Sequence, residues 1–538
     1  MVEIGTHSNQ CFANAEPLRP CPELPPKSLA QTLQSCPQQT GSTMSQATLD
    51  LPVTPKSKVR APSAPLGAEN PAPSLQLARG WASLAFFALL VAGLFAFIPV
   101  IGRTPGLSQL IEDPTFAKRI LVVHVDLALL VWFGAMELAL FQLLPARVAP
   151  NPLRRGAVIS AWLGTLLMLA SLAWPAEPVL SNYVPVLDHP VFLLGLGLFG
   201  VGMLGGFVTG PLTLSHEEPR SSLLLPAGAM PGLRACALAF IVAVITMAAS
   251  AQSLPAAYTR DPLYPLHFFE STFWGGGHIL QVANVAAMMS AWLLLLAPVL
   301  RRAPVSRKTA TLLFAGLILP HLAGPLLALQ GAQTGSYFSA FTELMRWGIF
   351  PAVLLMLGIL ITKLVHASRR GELAPGWWRS PAFAGFAASA GLTITGFLCG
   401  ALISGSNVLI PAHYHASIGG VTVAFMAAAF PLMEHLKLGS LGPRAARLSA
   451  WQPWLFGVGQ VTFVVGLALA GLHGMARKVY GAEQQVSTAQ QTAGLAIMAL
   501  GGLLAVAGGG LFVALVIAAW RRRPRQARNE TNRSIVEA

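Results

Sequence analysis

Twelve long apolar runs follow one another between residues 81 and 520, and they constrain the fold more than any other feature of the chain. Each run is long enough to cross about 30 Å of hydrocarbon as a helix. Backbone polar groups in lipid must be satisfied within their own segment, so runs of this length are helical. The sequence therefore predicts an all-α integral membrane protein with spans at 81–101, 119–143, 157–175, 191–213, 231–252, 273–299, 309–330, 337–363, 382–404, 407–433, 451–472 and 493–520.

The composition of the 538 residues agrees with this fold and excludes several classes of protein. The chain is 54% hydrophobic and only 10% charged, whereas a soluble globular chain has about 25% charged residues. This deficit excludes a soluble enzyme, a disordered protein and a nucleic-acid binder. Much of the net charge of +14 lies in the tails and in short loops, where membrane proteins keep positive charge. The five cysteines follow no metal-site or disulfide spacing.

Three regions divide the chain. Residues 1–78 are rich in Pro, Ser, Gln and Ala and have no apolar period, which predicts a disordered tail that is not a signal peptide. Residues 79–520 form the twelve-span domain, and residues 521–538 form a basic tail. The loops after the even-numbered spans hold most of the Lys and Arg of the short loops, so both termini are predicted to be cytoplasmic.

Five of the twelve histidines lie inside predicted spans, namely His124, His278, His321, His413 and His415. With the predicted orientation, all five lie roughly 8–14 Å below the outer membrane surface. One such histidine alone is about as often a polar contact between helices as a functional group. Imidazoles brought to one layer by spans 2, 6, 7 and 10 indicate buried metals. His413 and His415 are about 200° apart around one helix, so they face two different centres.

This pattern resembles catalytic subunit I of the haem–copper oxidase superfamily, from residue 81 to about residue 520. Three motifs carry the resemblance: His124 near the outer end of span 2, the WGGGHILQ stretch from Trp274 to Gln281 that opens span 6, and the HYH triplet at 413–415 in span 10. Their order and their span numbers are those of the family.

The resemblance implies two haems and a second metal. His124 and His415 would be the axial ligands of a low-spin haem, and His413 would be the proximal ligand of a high-spin haem. His278 and His321 would hold the second metal, copper or non-haem iron, opposite the open side of the high-spin haem. Because the chain has no CxxCH motif, both haems would be bound non-covalently.

The resemblance also implies partners and a location. Arg477 and Lys478, in an outer loop, would pair with haem propionates, although an ordinary exposed charge pair is the alternative. Electrons would come from cytochrome c or from a donor subunit. The chain would lie in lipid, in a bacterial cytoplasmic membrane, without a nucleic-acid partner.

Span 7 departs from the family pattern because the sequence LPHL at 319–322 lacks the usual His–His pair. Glu270, just before span 6, or Glu343, in span 8, is a candidate for the missing ligand, and a carboxylate would shift the metal preference towards iron. Glu343 has Arg346 three residues later, so an ion pair is the alternative for this carboxylate.

The choice of substrate gas follows from a second departure. Oxygen-reducing members carry a redox tyrosine near the second metal on span 6 or 7, and the positions four residues after His278 and His321 are Val282 and Pro325. Together with a carboxylate near the metal, this slightly favours reduction of NO to N2O, with reduction of O2 to water as the alternative.

Glu137, deep in span 2, is either a proton-relay carboxylate or a hydrogen-bonded contact between helices. A twelve-span secondary transporter is a remote alternative for the whole chain. It would give no reason for five histidines at one depth, and a number of spans is a poor guide to function.

Overall fold

The structure is a computed structural model that describes residues 73–144, 152–210, 224–260, 264–480 and 483–523. Within these ranges, twelve helices are long and apolar enough to cross a membrane, which confirms the predicted bundle. The spans, numbered 1 to 12, are Leu75–Arg103, Pro114–Phe141, Pro152–Ala173, Pro190–Val208, Ala229–Ser253, Tyr264–Leu300, Arg307–Leu329, Gly335–Arg369, Pro381–Ala401, Leu409–His435, Pro443–Leu472 and Ala489–Arg521.

The predicted tails lie mostly outside the described residues. This holds for residues 1–72 of the first tail and 524–538 of the second. The first described helix begins at Pro73, so the last six residues of the predicted disordered tail are helical. The apolar run becomes continuous only near Trp81, so the sequence alone indicates a later start of this helix.

Two spans are interrupted where they carry histidines. Span 2 runs as Pro114–Asp126, a wide π turn at Leu127–Val131, and Trp132–Phe141. Span 7 runs as Arg307–Ile318, a tighter 3-10 turn at Leu319–Ala323, and Gly324–Leu329. Pro320 has no N–H to donate within span 7, which is why the regular helix ends there. Such irregular turns are common at functional sites; here the turn in span 7 contains His321, and the turn in span 2 begins three residues after His124.

Glycines let spans 11 and 12 approach until their backbones touch. A Cβ atom added at Gly466 would lie 2.2 Å from the backbone nitrogen of Met498, and one added at Gly501 would lie 2.1 Å from that of Phe463. Lipid is as apolar as leucine, so close packing of this kind is what holds helices together in a membrane.

A short hairpin connects spans 3 and 4. Its antiparallel strands are β1 (Glu177–Val179) and β2 (Val186–Asp188), with Pro178 opposite Leu187. Successive spans alternate in direction, so all loops after odd-numbered spans share one face, here called the odd-loop face. Contacts agree with this: a β-bridge joins Asn407 to Ala476, and the loop after span 11 reaches the hairpin. The cytoplasmic location of the termini stays a prediction.

Within the described ranges, three further short helices connect spans. One short turn, Ser108–Leu110, follows span 1, a second, Ala256–Arg260, follows span 5, and a third, Trp377–Arg379, precedes span 9. The hydrophobic core lies between the spans, and spans 6 and 10 are the most buried of the twelve. These two central helices carry His278, His413 and His415.

Candidate haem and metal site

Span 10 separates its two histidines. The His415 ring lies 4.8 Å from the Phe463 ring on span 11, and His415 interacts electrostatically with His124 on span 2. The His413 ring instead faces span 9, where its Nδ1 lies 2.7 Å from the Gly396 carbonyl oxygen. A Cβ atom at Gly400, one turn further along span 9, would lie 2.8 Å from the same Nδ1. The structure therefore brings His124 to His415 and holds His413 on another side of the helix.

His278 and His321 form the second group. They lie close enough across the contact between spans 6 and 7 to interact electrostatically. His321 is fully buried, and a Cβ atom at Gly348 on span 8 would lie 2.3 Å from its Cε1. The Leu344 backbone interacts with this ring, yet Nε2 has no partner in hydrogen-bonding geometry among the described residues. A buried lone pair of this kind is costly unless a ligand uses it.

Four of these rings are fixed by the same hydrogen bond, from Nδ1 to a backbone carbonyl. The bonds join His124 to Ala92 (2.8 Å), His278 to Trp274 (2.7 Å), His321 to Leu317 (2.8 Å) and His413 to Gly396 (2.7 Å). A carbonyl can only accept, so each Nδ1 carries the proton and each Nε2 carries the lone pair. Metal-binding histidines are held in this way, so the four rings fit the metals that the sequence implies.

Tyr183, in the hairpin, makes the contact that sequence reasoning missed. Its hydroxyl oxygen lies 2.8 Å from Nε2 of His278, and the two ring centroids are 4.6 Å apart. Since Nδ1 of His278 is the donor nitrogen, Nε2 accepts and the tyrosine hydroxyl donates. Burial, and then the charge of Glu270, raise the pKa of Tyr183 well above its ordinary value, so the hydroxyl keeps its proton at neutral pH.

The three glycines before His278 each make room for a different neighbour. A Cβ atom at Gly275 would lie 2.8 Å from the Tyr337 hydroxyl, one at Gly276 would lie 2.3 Å from Met247, and one at Gly277 would lie 2.3 Å from Cγ of Tyr183. Close packing therefore explains the three glycines of the WGGGH motif. The third of them, Gly277, leaves the space that the Tyr183 ring occupies.

Polar contacts hold the hairpin over span 6. The backbone N–H of Asn182 donates to Glu270 Oε2 over 2.7 Å, and its side-chain amide donates to Oε1. Arg477 donates to the Asn182 amide oxygen over 3.3 Å, and Lys478 donates to the Leu180 carbonyl. Burial lowers the pKa of Lys478, against a smaller opposite effect of the Glu270 charge.

Tyr183 has a backbone φ of +68°, a conformation that costs a bulky residue about 1–3 kcal/mol. Strain of this kind persists only where the surroundings impose it, and it is concentrated at functional sites. The contacts of Asn182 and Leu180, on either side of the loop, are the surroundings that impose it here.

The two carboxylates predicted as metal ligands have other partners. Both oxygens of Glu270 accept from Asn182. Those of Glu343 accept from Arg346 (2.6 Å) and Trp347 (2.9 Å), and its side chain is 50% exposed. Across the described ranges, no group of three or more His, Cys, Asp or Glu side chains could hold a metal. The structure thus shows the ion-pair alternative for Glu343 and a structural contact for Glu270.

Span 2 carries two buried carboxylates. Glu137 contacts the Cys236 thiol, while its Oε1 has no partner among the described residues. Asp126, which sequence reasoning missed, is fully buried, and neither of its carboxylate oxygens has a partner in the described part of the chain. An aspartate in an apolar span is itself the signal that points to such a site.

Arg103, at the end of span 1, is a third residue that sequence reasoning missed. It is buried, its guanidinium lies 4.4 Å above the Tyr480 ring, and its charge acts on His415. Its Nη1 has no partner among the described residues. An unpaired guanidinium N–H beside His415 fits a carboxylate group such as a haem propionate.

A twelve-span bundle in which rings from four spans are held by the same hydrogen bond, and in which span 10 separates His413 from His415, fits a membrane-embedded haem oxidoreductase. A sequence model of the family described as cytochrome c and quinol oxidase polypeptide I matches residues 76–504. The chain belongs to this family, which is subunit I of the haem–copper oxidases, and it is a haem-dependent oxidoreductase. The secondary-transporter alternative is therefore wrong.

Similar proteins cover most of the chain. An uncharacterized protein of Rickettsia prowazekii is 27% identical over 496 residues, which are 81% of this chain and 94% of the relative. An uncharacterized protein of Aquifex aeolicus is 28% identical over 368 residues, which cover 66% of this chain and 84% of the relative. A haem–copper terminal oxidase dimer solved by cryo-EM shares the fold, with a TM-score of 0.66 at 17% identity. The match covers 83% of this chain and 84% of the chain in that structure.

Proposed function

We propose that the chain is the gas-reducing subunit of a terminal oxidase in a bacterial cytoplasmic membrane, supplied with electrons by cytochrome c or by a donor subunit. In this proposal His124 and His415 hold the low-spin haem, His413 holds the high-spin haem, and His278 and His321 hold the second metal. The observation that carries the proposal is the shared Nδ1–carbonyl hydrogen bond, which leaves the lone pair on Nε2 of four rings. In this structure Nε2 of His278 accepts from Tyr183.

The haems, when bound, supply electrons and one iron with an open position for a diatomic gas. The chain's own residues fix the imidazoles in one tautomer and keep bulk water away from the site. In this proposal Arg103, whose Nη1 has no partner among the described residues, neutralises a haem propionate, and Arg477 and Lys478 add positive charge near the odd-loop face. Asp126 and Glu137, buried in span 2, are the carboxyl groups proposed to carry protons inwards.

For the substrate we propose O2, with NO as the second candidate. The sequence hypothesis of NO reduction depended on a missing tyrosine and on a carboxylate beside the second metal. Tyr183 places a phenol hydroxyl on His278, and Glu270 and Glu343 have other partners. A tyrosine side chain can supply one electron, which the four-electron cleavage of O2 uses and the two-electron coupling of NO does not need. NO stays the second candidate because a site with two imidazoles and an oxygen ligand would suit non-haem iron. The sequence hypothesis connects such a metal with NO reduction.

The test of the substrate compares the turnover of the fully reduced, purified protein with O2 and with NO. We expect four electrons consumed per O2, with water as product, at a rate well above that of N2O formation from NO. A faster formation of N2O, measured by gas chromatography, would contradict the O2 assignment and support the second candidate.

Replacement of His124 by Ala is expected to remove the low-spin haem signal and to keep the high-spin signal. The reason is that His124 lies with His415, whereas His413 faces span 9. Optical difference spectra and haem extraction measure both signals. The control is His366→Ala, because His366 is exposed near the end of span 8. A wild-type protein without haem, purified from a haem-replete host, would overturn the whole proposal.

A further inference from the structure

The second-metal site has two histidines and lacks a third conventional ligand. In the described part of the chain, no cluster of three His, Cys, Asp or Glu side chains includes His278 and His321. Tyr183 contacts one member of this pair, through a hydrogen bond to Nε2 of His278. We propose that the Tyr183 oxygen is the third donor to the second metal, so that the site is completed from outside the bundle. This inference rests on the proposed function, which supplies the metal.

The separation of the two donor atoms fits one shared metal. The Tyr183 oxygen and His278 Nε2 are 2.8 Å apart. Two ligands at about 2.0–2.1 Å from one metal, at a right angle to each other, are about 2.9 Å apart. The spacing of these two donor atoms is therefore compatible with one metal bound by both, in place of the shared proton.

The exchange balances without any transfer of electrons. The O–H bond of Tyr183 breaks, its proton leaves to water, and an oxygen–metal bond forms beside the nitrogen–metal bonds of His278 and His321. A bound cation favours the anionic form of a coordinating group even where burial alone opposes it. The resulting set, two neutral imidazoles and one anionic oxygen, suits a first-row transition metal.

The hairpin is built to place this oxygen. Gly277 leaves the space that the tyrosine ring occupies, and the left-handed backbone at Tyr183 turns the residue out of the loop. Glu270 fixes the preceding residue, Asn182, through two hydrogen bonds. Arg477 binds the same asparagine from the loop after span 11. Glu270, predicted as a ligand, is in this proposal a positioning residue that acts through Asn182.

The test compares the purified full-length protein with its Tyr183→Phe variant, which removes only the oxygen. Haem is measured by extraction, and copper and iron in excess of haem are measured by mass spectrometry. We expect Tyr183→Phe to keep both haems and to bind the second metal more than about 100-fold more weakly, since even partners that only orient a ligand are worth 10–100-fold. Tyr264→Phe, at the start of span 6, is the matched control.

A second measurement uses the unchanged protein and does not depend on a variant that folds. A phenolate bound to an oxidised transition metal gives a charge-transfer band, and excitation in that band enhances the tyrosinate ring modes in resonance Raman spectra. Finding these modes in the wild type supports the proposal. Their absence, or a full content of second metal in Tyr183→Phe, overturns it. A wild type without haem would instead show that the proposed function has failed.

Discussion

Replacement of His413 by Ala is expected to abolish gas reduction and to leave the low-spin haem spectrum intact. His413 and His415 lie on opposite sides of span 10, with His413 against Gly396 of span 9 and His415 against Phe463 of span 11. Loss of the His413 ring should therefore affect the high-spin haem and leave the low-spin haem bound. Turnover should fall by at least about 100-fold, because losing a ligand costs more than the 10–100-fold cost of losing its orienting partner.

The experiment measures gas consumption and optical spectra on the same preparation. Ser417→Ala is the control, since Ser417 follows His413 by one turn and also packs against Gly396. It should keep full turnover, which separates loss of the ligand from loss of packing between spans 9 and 10. Added imidazole should restore part of the high-spin signal in His413→Ala. Retained turnover, or a lost low-spin spectrum, would contradict the division of the site by span 10.

The second large effect is expected from Gly501→Leu, which should separate span 12 from span 11. A Cβ atom at Gly501 would meet backbone atoms of Thr462 and Phe463 at 2.1–2.6 Å, and backbone cannot move aside as a flexible side chain can. Overpacking typically destabilises a protein by about 1–3 kcal/mol and occasionally by more. We expect the destabilisation by Gly501→Leu to reach or exceed the upper end of this range, because the whole helix must shift.

Gly510→Leu is the matched control, because it lies in the same span and a Cβ atom there would have no neighbour within 4 Å. Heating both variants in detergent and following the monodisperse fraction by size-exclusion chromatography measures the difference. The control should behave like the wild type, while Gly501→Leu should lose its monodisperse form at a clearly lower temperature. Equal behaviour of the two would show that the contact between the spans is looser than described.

The spans could be predicted from the sequence because a membrane imposes one local rule on the whole chain. An uninterrupted apolar run must be a helix, and the order of His124, His278, His321 and the HYH triplet then assigns histidines to spans. Helical angle alone predicts that His413 and His415 face two different centres, and this inference uses only short-range geometry, which a sequence contains. The pairing of His415 with His124 is implied by the family resemblance.

The contacts that depend on loops could not be predicted. Tyr183 reaches His278 across 95 positions of sequence, through a hairpin whose placement depends on Asn182, Glu270 and Arg477 together. Glu343 was a candidate ligand by depth, but Arg346 and Trp347 lie within one helical turn and bind its oxygens first. Depth along a span is therefore a weaker guide than nearby competing partners.

The position of the hairpin has a consequence for how the enzyme matures. Its tyrosine covers His278 from the odd-loop face, and the loops after spans 9 and 11 are joined to each other and to the hairpin by hydrogen bonds. A metal ion delivered from that face must arrive while this cap is still open. Insertion of the ion would then come before final closure of the outer loops, and cofactor loading would become a step of assembly.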